Sequence, residues 1–164
     1  MHDPKQSHLD AALHVVRYLK GSPSLGILLS SNVDNILKIF CDSDWAFCAV
    51  TRKSVTEYCI NLGQSLISWK SRKQETISRS ITDAEYRSMA SAVAEIVWLV
   101  GLLDKMNIKV KMPVDLFCDN KAAIQIAENL IFSERTKHIE VDCHFVRKKI
   151  QKGLINAVHV AGTE

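Results

Sequence analysis

The sequence predicts an α/β fold in which helices pack on a mixed β-sheet, and three observations lead to this prediction. Three strand-like segments, rich in apolar and β-branched residues, follow one another between residues 36 and 71, which favours antiparallel neighbours. Two further strand-like segments, at 114–119 and 154–162, are separated by helical patterns, which favours parallel pairing. The clearest single element is a long helix from about Asp83 to Met106, with apolar residues at helical spacing.

The remaining elements are predicted from apolar periodicity and from the residues that interrupt it. Residues 5–20 have the pattern of an amphipathic helix that "KGSPS" ends, and "LGILLS" at 25–30 is a candidate short strand. Gly63-Gln64 separates two strands as in a hairpin, and Met112-Pro113 breaks the chain before the next strand. C-terminal to the short strand at 25–30, further strands are predicted at 36–42, 54–62, 65–71, 114–119 and 154–162. Helices are predicted at 120–129 and, with a basic composition, at 138–153.

Composition and length limit the class of protein. With 164 residues the chain is long enough for one domain with a real core, and its net charge of +3 allows a nucleic-acid partner without requiring one. Its five cysteines show no Cys-x-x-Cys spacing, so they are interpreted as reduced, buried residues of an intracellular protein, and the spacing argues against a zinc site. The polar start is not a signal peptide, and the longest apolar run, "IVWLVGLL", is too short to span a bilayer.

Three acids are predicted to converge. Asp42 and Asp119 each end an apolar run on Phe-Cys-Asp, so parallel neighbouring strands in register would place them side by side at the carboxyl end of the sheet. Glu85 lies four residues before Met89 on the apolar stripe of the long helix that faces the sheet, whereas Asp83 falls off this stripe. Three carboxylates at one point repel one another, and Mg²⁺, which prefers oxygen ligands, relieves this repulsion.

Each acid also has a purely structural interpretation. "TDAE" fits a capping box in which Thr82 caps the long helix and Glu85 reaches back to it. Asp119-Asn120 fits the cap of the following helix, and Asp42 fits the start of a turn. The "DSD" stretch at Asp42 is similar to the nucleophile motif of haloacid-dehalogenase-type phosphatases, but it lacks their following Thr or Val and leaves Glu85 unexplained.

Four long, ordered motifs show a resemblance to a known family. They are "CDSDWAFCAVTRKSVTEYC", "SLISWKSRKQETISRSITDAEYRSMASAVAEIVWL", "LFCDNKAAI" and "RTKHIEVDCHFVRKKI". The chain resembles the ribonuclease H domain of copia-type (long-terminal-repeat) retrotransposon Pol polyproteins over nearly its whole length. The N-terminal "SHLDAALHVVRYLKGSPSLGILL" is similar to the segment that joins reverse transcriptase to ribonuclease H in these polyproteins.

The resemblance implies a fold, an activity and a set of site residues. The fold is a ribonuclease H-like five-stranded mixed sheet with helices on both faces, and the activity is endonucleolytic hydrolysis of the RNA strand of RNA–DNA hybrids. Asp42, Glu85 and Asp119 match the catalytic acids that hold two Mg²⁺ ions, for which Mn²⁺ substitutes, with Asp42 bridging both ions. It also implies a connection segment at 1–33, with a helix and a short strand, and a ribonuclease H-like domain at 34–164.

Basic and polar residues are candidates for contacting the phosphates of the hybrid, a sequence-independent and salt-sensitive interaction. Asn120 is a candidate for hybrid contact, with helix capping as its equal alternative. The predicted nucleic-acid-binding residues are Lys70, Arg72, Lys73, Asn120, Arg135 and Lys137. The partners implied are the hybrid and the reverse transcriptase portion of the same polyprotein, with no membrane, in a cytoplasmic particle or the nucleus.

The sequence also departs from the family pattern. The family carries a fourth acid a few residues beyond the last strand, and the sequence stops at "VAGTE", so a domain that lacks its C-terminal end is expected. Glu57 and Phe47 stand where the family has glycine, and a larger residue there costs about 1 kcal/mol if the backbone needs a positive φ. These departures motivate the alternative of an inactive retrotransposon remnant, at most a weak nucleic-acid-binding module. The motifs argue against a polynucleotidyl transferase of the integrase kind.

Overall fold

The computed structural model describes residues 3–31, 34–129 and 140–161. Within these ranges the helices are α1 (Gln6–Gly21), α2 (Ile81–Lys105), α3 (Lys121–Glu128) and α4 (Glu140–Gln151). The strands are β1 (Leu37–Asp44), β2 (Val55–Leu62), β3 (Ser65–Lys73), β4 (Val114–Cys118) and β5 (Ile155–His159). These bounds confirm the predicted elements, apart from the short strand at 25–30.

The five strands form one mixed sheet in the order β3-β2-β1-β4-β5. β1, β2 and β3 pair antiparallel, whereas β4 is parallel to both β1 and β5. This topology confirms both pairing predictions and places β1 at the centre of the sheet. Gly63 makes the tight β2–β3 connection at φ +58°, and a Cβ there would approach Asp34 to 3.1 Å.

The core lies between the sheet and the long helix. Residues of β1 alternate between buried and exposed, and Ile39 is fully buried on the core face. α2 packs over β1 and β2 with Met89, Val93 and Ile96 fully buried, and α3 and α4 contact α2. By length and composition alone, α2 is long enough and apolar enough to cross a membrane. Half of its most apolar stretch is buried inside the fold, and core helices of globular domains often have such a composition.

The opposite face of the sheet is more open among the described residues. The rings of Phe40 and Phe117 stack there with centroids 4.8 Å apart, and Trp69 on β3 is 60% exposed. Because α2, α3 and α4 contact one another, they lie together on the core face. The described helices that pack on the sheet therefore cover one face, rather than the two that the resemblance implied.

The N-terminal segment differs from the rest of the chain. α1 forms as predicted, but none of its residues is buried. The predicted strand at 25–30 is wrong, since these residues have no strand conformation and Leu25 and Leu28 are 79% and 83% exposed. An apolar run becomes a strand only when a sheet edge pairs with it; here the Ser30 amide donates to a side chain of β3, Ser65 Oγ, at 2.9 Å.

Candidate metal-binding active site

The two Phe-Cys-Asp segments lie side by side at the centre of the sheet. β1 and β4 are parallel neighbours, and Phe40 pairs with Phe117. Two residues further along, this register places Asp42 opposite Asp119 at the carboxyl end of both strands. Both aspartates are exposed. The predicted parallel pairing of the two segments is thus confirmed.

The N-terminus of α2 is capped by a residue other than the predicted Thr82–Glu85 pair. Ser80 is the N-cap, and its Oγ accepts the Asp83 amide at 3.1 Å. Asp83 Oδ2 in turn accepts the Arg79 amide at 2.9 Å. The cap therefore lies two residues earlier than the predicted Thr82–Glu85 box, and the structural interpretation of Glu85 is wrong.

Asp83 is a second correction to the start of α2. It was predicted to lie off the buried stripe, yet it is only 3% exposed. Arg87, one turn further along the helix, donates to it at 2.9 Å in an ion pair. This local partner makes burial of the carboxylate tolerable, which the apolar periodicity of the helix does not reveal.

Glu85 projects into a cluster with two residues at the end of β4. Its side chain is 3% exposed, and Oε2 is buried without a hydrogen-bond partner in the described chain. Ligand atoms of Glu85, Cys118 and Asp119 all lie within 4.8 Å of one another. Asp42 does not belong to this group of three, and its Oδ1 accepts the Ser43 amide at 2.7 Å.

The electrostatics of the cluster favour a bound cation. Burial raises the pKa of Glu85 from its ordinary 4.5 to about 9, and the negative charges of Cys118, Asp42 and Asp119 add to this increase. A hydrogen bond from the Ser43 backbone amide acts in the opposite direction and lowers the pKa. Without a counter-charge, Glu85 is therefore protonated at neutral pH. A divalent cation would supply that counter-charge and a partner for the orphaned Oε2, so these residues fit a metal site.

A buried serine fixes Asp42 relative to α2. Ser88 is fully buried, and its Oγ donates to the backbone oxygen of Asp42. The same Oγ lies 3.0 Å from the backbone oxygen of Glu57 and accepts the Glu57 backbone amide at 3.3 Å. We expect Ser88→Ala to lower the free energy of unfolding by about 1–3 kcal/mol, because buried backbone groups lose their partner. Urea denaturation measures this loss.

Ser91→Ala is the matched control for the serine prediction. Ser91 lies nearly one turn further along α2, and its Oγ contacts the flexible Lys70 ammonium at 3.2 Å. Its loss should change stability by less than about 0.5 kcal/mol. Equal effects of the two substitutions would contradict the role given to Ser88.

The predicted basic residues of β3 line a cleft beside α2. Lys70, Arg72 and Lys73 lie along a cavity of about 660 Å³ that residues of α2 and α4 also line. Lys73 Nζ lies 3.2 Å from Cys48 Sγ, and Arg72 forms a weak ion pair with Glu75 at 3.8 Å. The structure therefore gathers these three positive charges on one surface.

The other predicted nucleic-acid contacts are less well supported by position. Asn120 Oδ1 accepts the Ala123 amide at 2.9 Å, so the alternative role as N-cap of α3 is confirmed. Its role towards nucleic acid stays a prediction. Arg135 and Lys137 lie outside the described residues.

The two glycine replacements do not strain the backbone. In the described chain, positive φ at non-glycine residues occurs at Ala46, Arg52 and Asn107, and thus at neither Phe47 nor Glu57. The condition for a conformational penalty is therefore not met. Glu57 instead pairs with Asp42 across β1 and β2 and accepts a hydrogen bond from Ser71 Oγ at 2.6 Å.

Cys118 and Ser88 are the site residues that sequence reasoning missed. The sequence predicts that the cysteines are reduced and buried; all five are free, but Cys48 and Cys59 are only half-buried. Alternation along β4 nevertheless places Cys118 on the core face, the same side from which Glu85 approaches. That shared face was the available signal for Cys118, whereas nothing in the sequence singles out Ser88.

Comparisons with known proteins relate the chain to plant retrotransposons. It is 39% identical over 161 residues to the retrovirus-related Pol polyproteins from transposons RE1 and RE2 of Arabidopsis thaliana, covering 98% of this chain and 11% of each polyprotein. The corresponding polyprotein from transposon TNT 1-94 of Nicotiana tabacum is 30% identical over 164 residues, 100% of this chain and 12% of its own length. The chain thus spans about a tenth of these relatives. No family model matches it.

Solved structures establish the fold class. An RNase H1 isolated from compost by a metagenomic approach superimposes with a TM-score of 0.56 at 12% identity, covering 78% of this chain and 86% of that one. The N-terminal RNase H domain of a Mycobacterium tuberculosis protein superimposes with a TM-score of 0.51 at 11% identity, covering 76% and 83%. At such low identity the likeness shows the fold alone, and that fold is ribonuclease H-like.

Proposed function

Since the chain belongs to the copia-type retrotransposon Pol polyproteins and has the ribonuclease H fold, we propose that it hydrolyses the RNA strand of RNA–DNA hybrids with divalent cations. The single observation that carries this proposal is the buried Glu85 Oε2, unpartnered beside Asp119. A carboxylate held in this way is costly unless a proton neutralises it or a cation joins it. The ribonuclease H fold and the polyprotein relatives support a nuclease role. That its substrate is an RNA–DNA hybrid is our more specific proposal.

Each of the three acids has a distinct place in the proposed site. Asp119, just after β4, and Glu85, on α2, would hold the cations, and Asp42, at the end of the neighbouring strand β1, would complete the set. Two Mg²⁺ ions, when bound, supply Lewis-acid activation of water and neutralise charge on the scissile phosphate, and Mn²⁺ substitutes for them. The exposure of Asp42 and Asp119 leaves their side of the cluster open to a nucleic-acid backbone.

The direct test is cleavage of a labelled RNA–DNA hybrid. We expect endonucleolytic products from the RNA strand in Mg²⁺, none after chelation with EDTA, and none from double-stranded DNA of the same sequence. Cleavage that persists in EDTA, or equal cleavage of a single-stranded RNA, would contradict the proposal. Hybrid binding without cleavage in either Mg²⁺ or Mn²⁺ would favour the inactive remnant, for which the position of Asp42 outside the three-residue cluster is the supporting observation.

The basic cleft gives a separate prediction about hybrid binding. The triple variant Lys70→Ala, Arg72→Ala, Lys73→Ala should bind a hybrid more weakly, and the slope of log affinity against log salt should fall by about 2–3, because each phosphate contact contributes about one. Fluorescence anisotropy at several salt concentrations measures this slope.

A triple variant of equal charge is the control for the cleft. Lys105, Lys109 and Lys111 lie at or beyond the C-terminal end of α2, and Lys109 already pairs with Asp104 at 2.6 Å. Their replacement by alanine should leave the salt slope unchanged to within about 0.5. Identical slopes for the two triple variants would show that net charge, and not the cleft, governs binding.

We also propose that residues 1–33 are a connection segment that follows reverse transcriptase in the polyprotein. α1 carries Leu9, Val16 and Leu19 at helical spacing, and all three are exposed. An amphipathic helix with no buried residue has an apolar side available for another part of a longer chain.

A further inference from the structure

The acid cluster contains a thiol, and its chemistry differs from that of carboxylates alone. We propose that Glu85, Cys118 and Asp119 form a site for a thiophilic divalent cation of the zinc class, which competes with Mg²⁺ for the same carboxylates. The binding site itself follows from the side-chain cluster. The competition rests on the proposed function, because it assumes that these carboxylates also hold Mg²⁺.

The geometry supplies three ligand atoms of the right kinds. Oxygen from Glu85, sulfur from Cys118 and oxygen from Asp119 lie within 4.8 Å of one another. Around a tetrahedral zinc ion, bonds of about 2.1 Å to oxygen and 2.3 Å to sulfur place ligand atoms about 3.4–3.6 Å apart. A contraction of about 1 Å, within reach of side-chain rotation, therefore closes the site, with a fourth position left for water.

A second observation points to a ligand, independently of the grouping itself. Glu85 is 97% buried, since only 3% of it is exposed, and its Oε2 makes no hydrogen bond to any described residue. Cys118 is fully buried on the same core face. A buried, unpartnered carboxylate oxygen on a residue grouped with a buried thiol fits the mixed oxygen and sulfur donor set of a zinc-class cation.

Ligand chemistry separates the two classes of cation. Mg²⁺ demands octahedral oxygen coordination, so the sulfur of Cys118 does not serve it and exposed Asp42 would have to contribute. Zinc-class ions accept thiolate, carboxylate and water in tetrahedral geometry, so they use Cys118 and do not need Asp42. A zinc-class ion would therefore occupy Glu85 and Asp119 in an arrangement that excludes the Mg²⁺ arrangement.

Cobalt(II) is the probe that reports a sulfur ligand directly. Half-exposed Cys48 is first replaced by serine, so that it cannot contribute sulfur. Titrating this protein with Co²⁺ should give a near-ultraviolet thiolate-to-cobalt charge-transfer band that an equal amount of Zn²⁺ abolishes. Cys118→Ser should remove the band and weaken Co²⁺ binding at least about tenfold. Mutation of residues that only hydrogen-bond to a metal ligand already lowers metal affinity about tenfold or more, so loss of a ligand itself should cost at least as much.

Cys143→Ser is the matched control, because Cys143 is also buried, at 3% exposure, but lies on α4 outside the cluster. This variant should keep the charge-transfer band. If Cys118→Ser fails to fold by circular dichroism, zinc K-edge X-ray absorption on the Cys48→Ser protein decides instead. Sulfur at about 2.3 Å from zinc supports the site, and a shell of oxygen and nitrogen alone overturns it.

The outcomes separate this inference from the proposed function. Hybrid cleavage in Mg²⁺ without a charge-transfer band overturns the thiolate site and leaves the nuclease proposal standing. A Cys118-dependent band without any cleavage supports the site and counts against the nuclease. If both are present, Zn²⁺ at the concentration that saturates the band should inhibit cleavage, and Cys118→Ser should reduce that inhibition at least about tenfold.

Discussion

Asparagine in place of Asp119 is expected to reduce Mg²⁺-dependent cleavage of an RNA–DNA hybrid by at least about a thousandfold. The substitution keeps the shape of the side chain and removes the charge that holds a divalent cation beside the scissile phosphate. Metal ions contribute several kcal/mol to such reactions, and about 4 kcal/mol corresponds to a thousandfold change in rate. Single-turnover cleavage with enzyme in excess measures the chemical step without product release.

Asp115→Asn is the control for the Asp119 prediction. Asp115 lies near the other end of β4 and its Oδ1 accepts a hydrogen bond from Asn156 at 2.8 Å, remote from Glu85. Its replacement should leave the cleavage rate within about twofold, as expected for a surface change away from the reacting groups. If Asp119→Asn and the control cleave equally fast, Asp119 has no part in the reaction.

Asp42→Asn extends the same test to the acid outside the three-residue cluster. Asp42 acts on Glu85 through its charge, and the strand register places it opposite Asp119. A loss of cleavage as large as that of Asp119→Asn would show that both acids act at one site. A loss below about tenfold would restrict the working site to the residues of α2 and β4.

Glutamine in place of Glu85 is expected to stabilise the metal-free protein by about 2–4 kcal/mol at pH 8, while it abolishes cleavage. The pKa of Glu85 is about 9 in the fold, against an ordinary value of 4.5. Between these values the native state holds a proton that the unfolded chain has released, so stability falls as pH rises, by up to about 1.4 kcal/mol per pH unit. Glutamine is neutral at every pH and removes this slope.

The pH window makes the Glu85 prediction specific. Below about pH 4 both states are protonated, so the wild-type chain and the Glu85→Gln variant should be equally stable. They should then diverge up to about pH 9 in EDTA. Urea denaturation at several pH values measures the divergence, and parallel curves for the two proteins would contradict the buried state of Glu85.

A neighbouring glutamate and the metal itself provide two controls. Glu95 lies on the same helix, half-buried, and accepts a hydrogen bond from Ser68 Oγ at 3.0 Å. Glu95→Gln should leave Mg²⁺-dependent cleavage of the hybrid within about twofold, as expected for a change away from the cluster. Mg²⁺ should stabilise the wild-type chain more at pH 8 than at pH 6, because binding requires the deprotonated carboxylate, and it should have little effect on Glu85→Gln.

Local patterns were sufficient for most of the fold. Strand alternation and helical spacing fixed which residues face the core, and the repeated Phe-Cys-Asp placed two acids at matching strand ends. Patterns failed where an element needs a partner from elsewhere in the chain. Residues 25–30 are apolar enough for a strand but do not pair, and Asp83 is buried because Arg87 neutralises it.

The sequence by itself placed Asp42 and Asp119 at matching ends of two strands and Glu85 on the stripe of the long helix that faces the sheet, because strand alternation and helical spacing follow from backbone periods of 2 and 3.6 residues. Only the tertiary structure decided how closely they approach, since the shift and angle at which α2 lies on the sheet are set by packing across the whole core. That packing brought Glu85 to Cys118 and Asp119 and left Asp42 outside the group. It also gave Ser80, and not Thr82, the cap of α2.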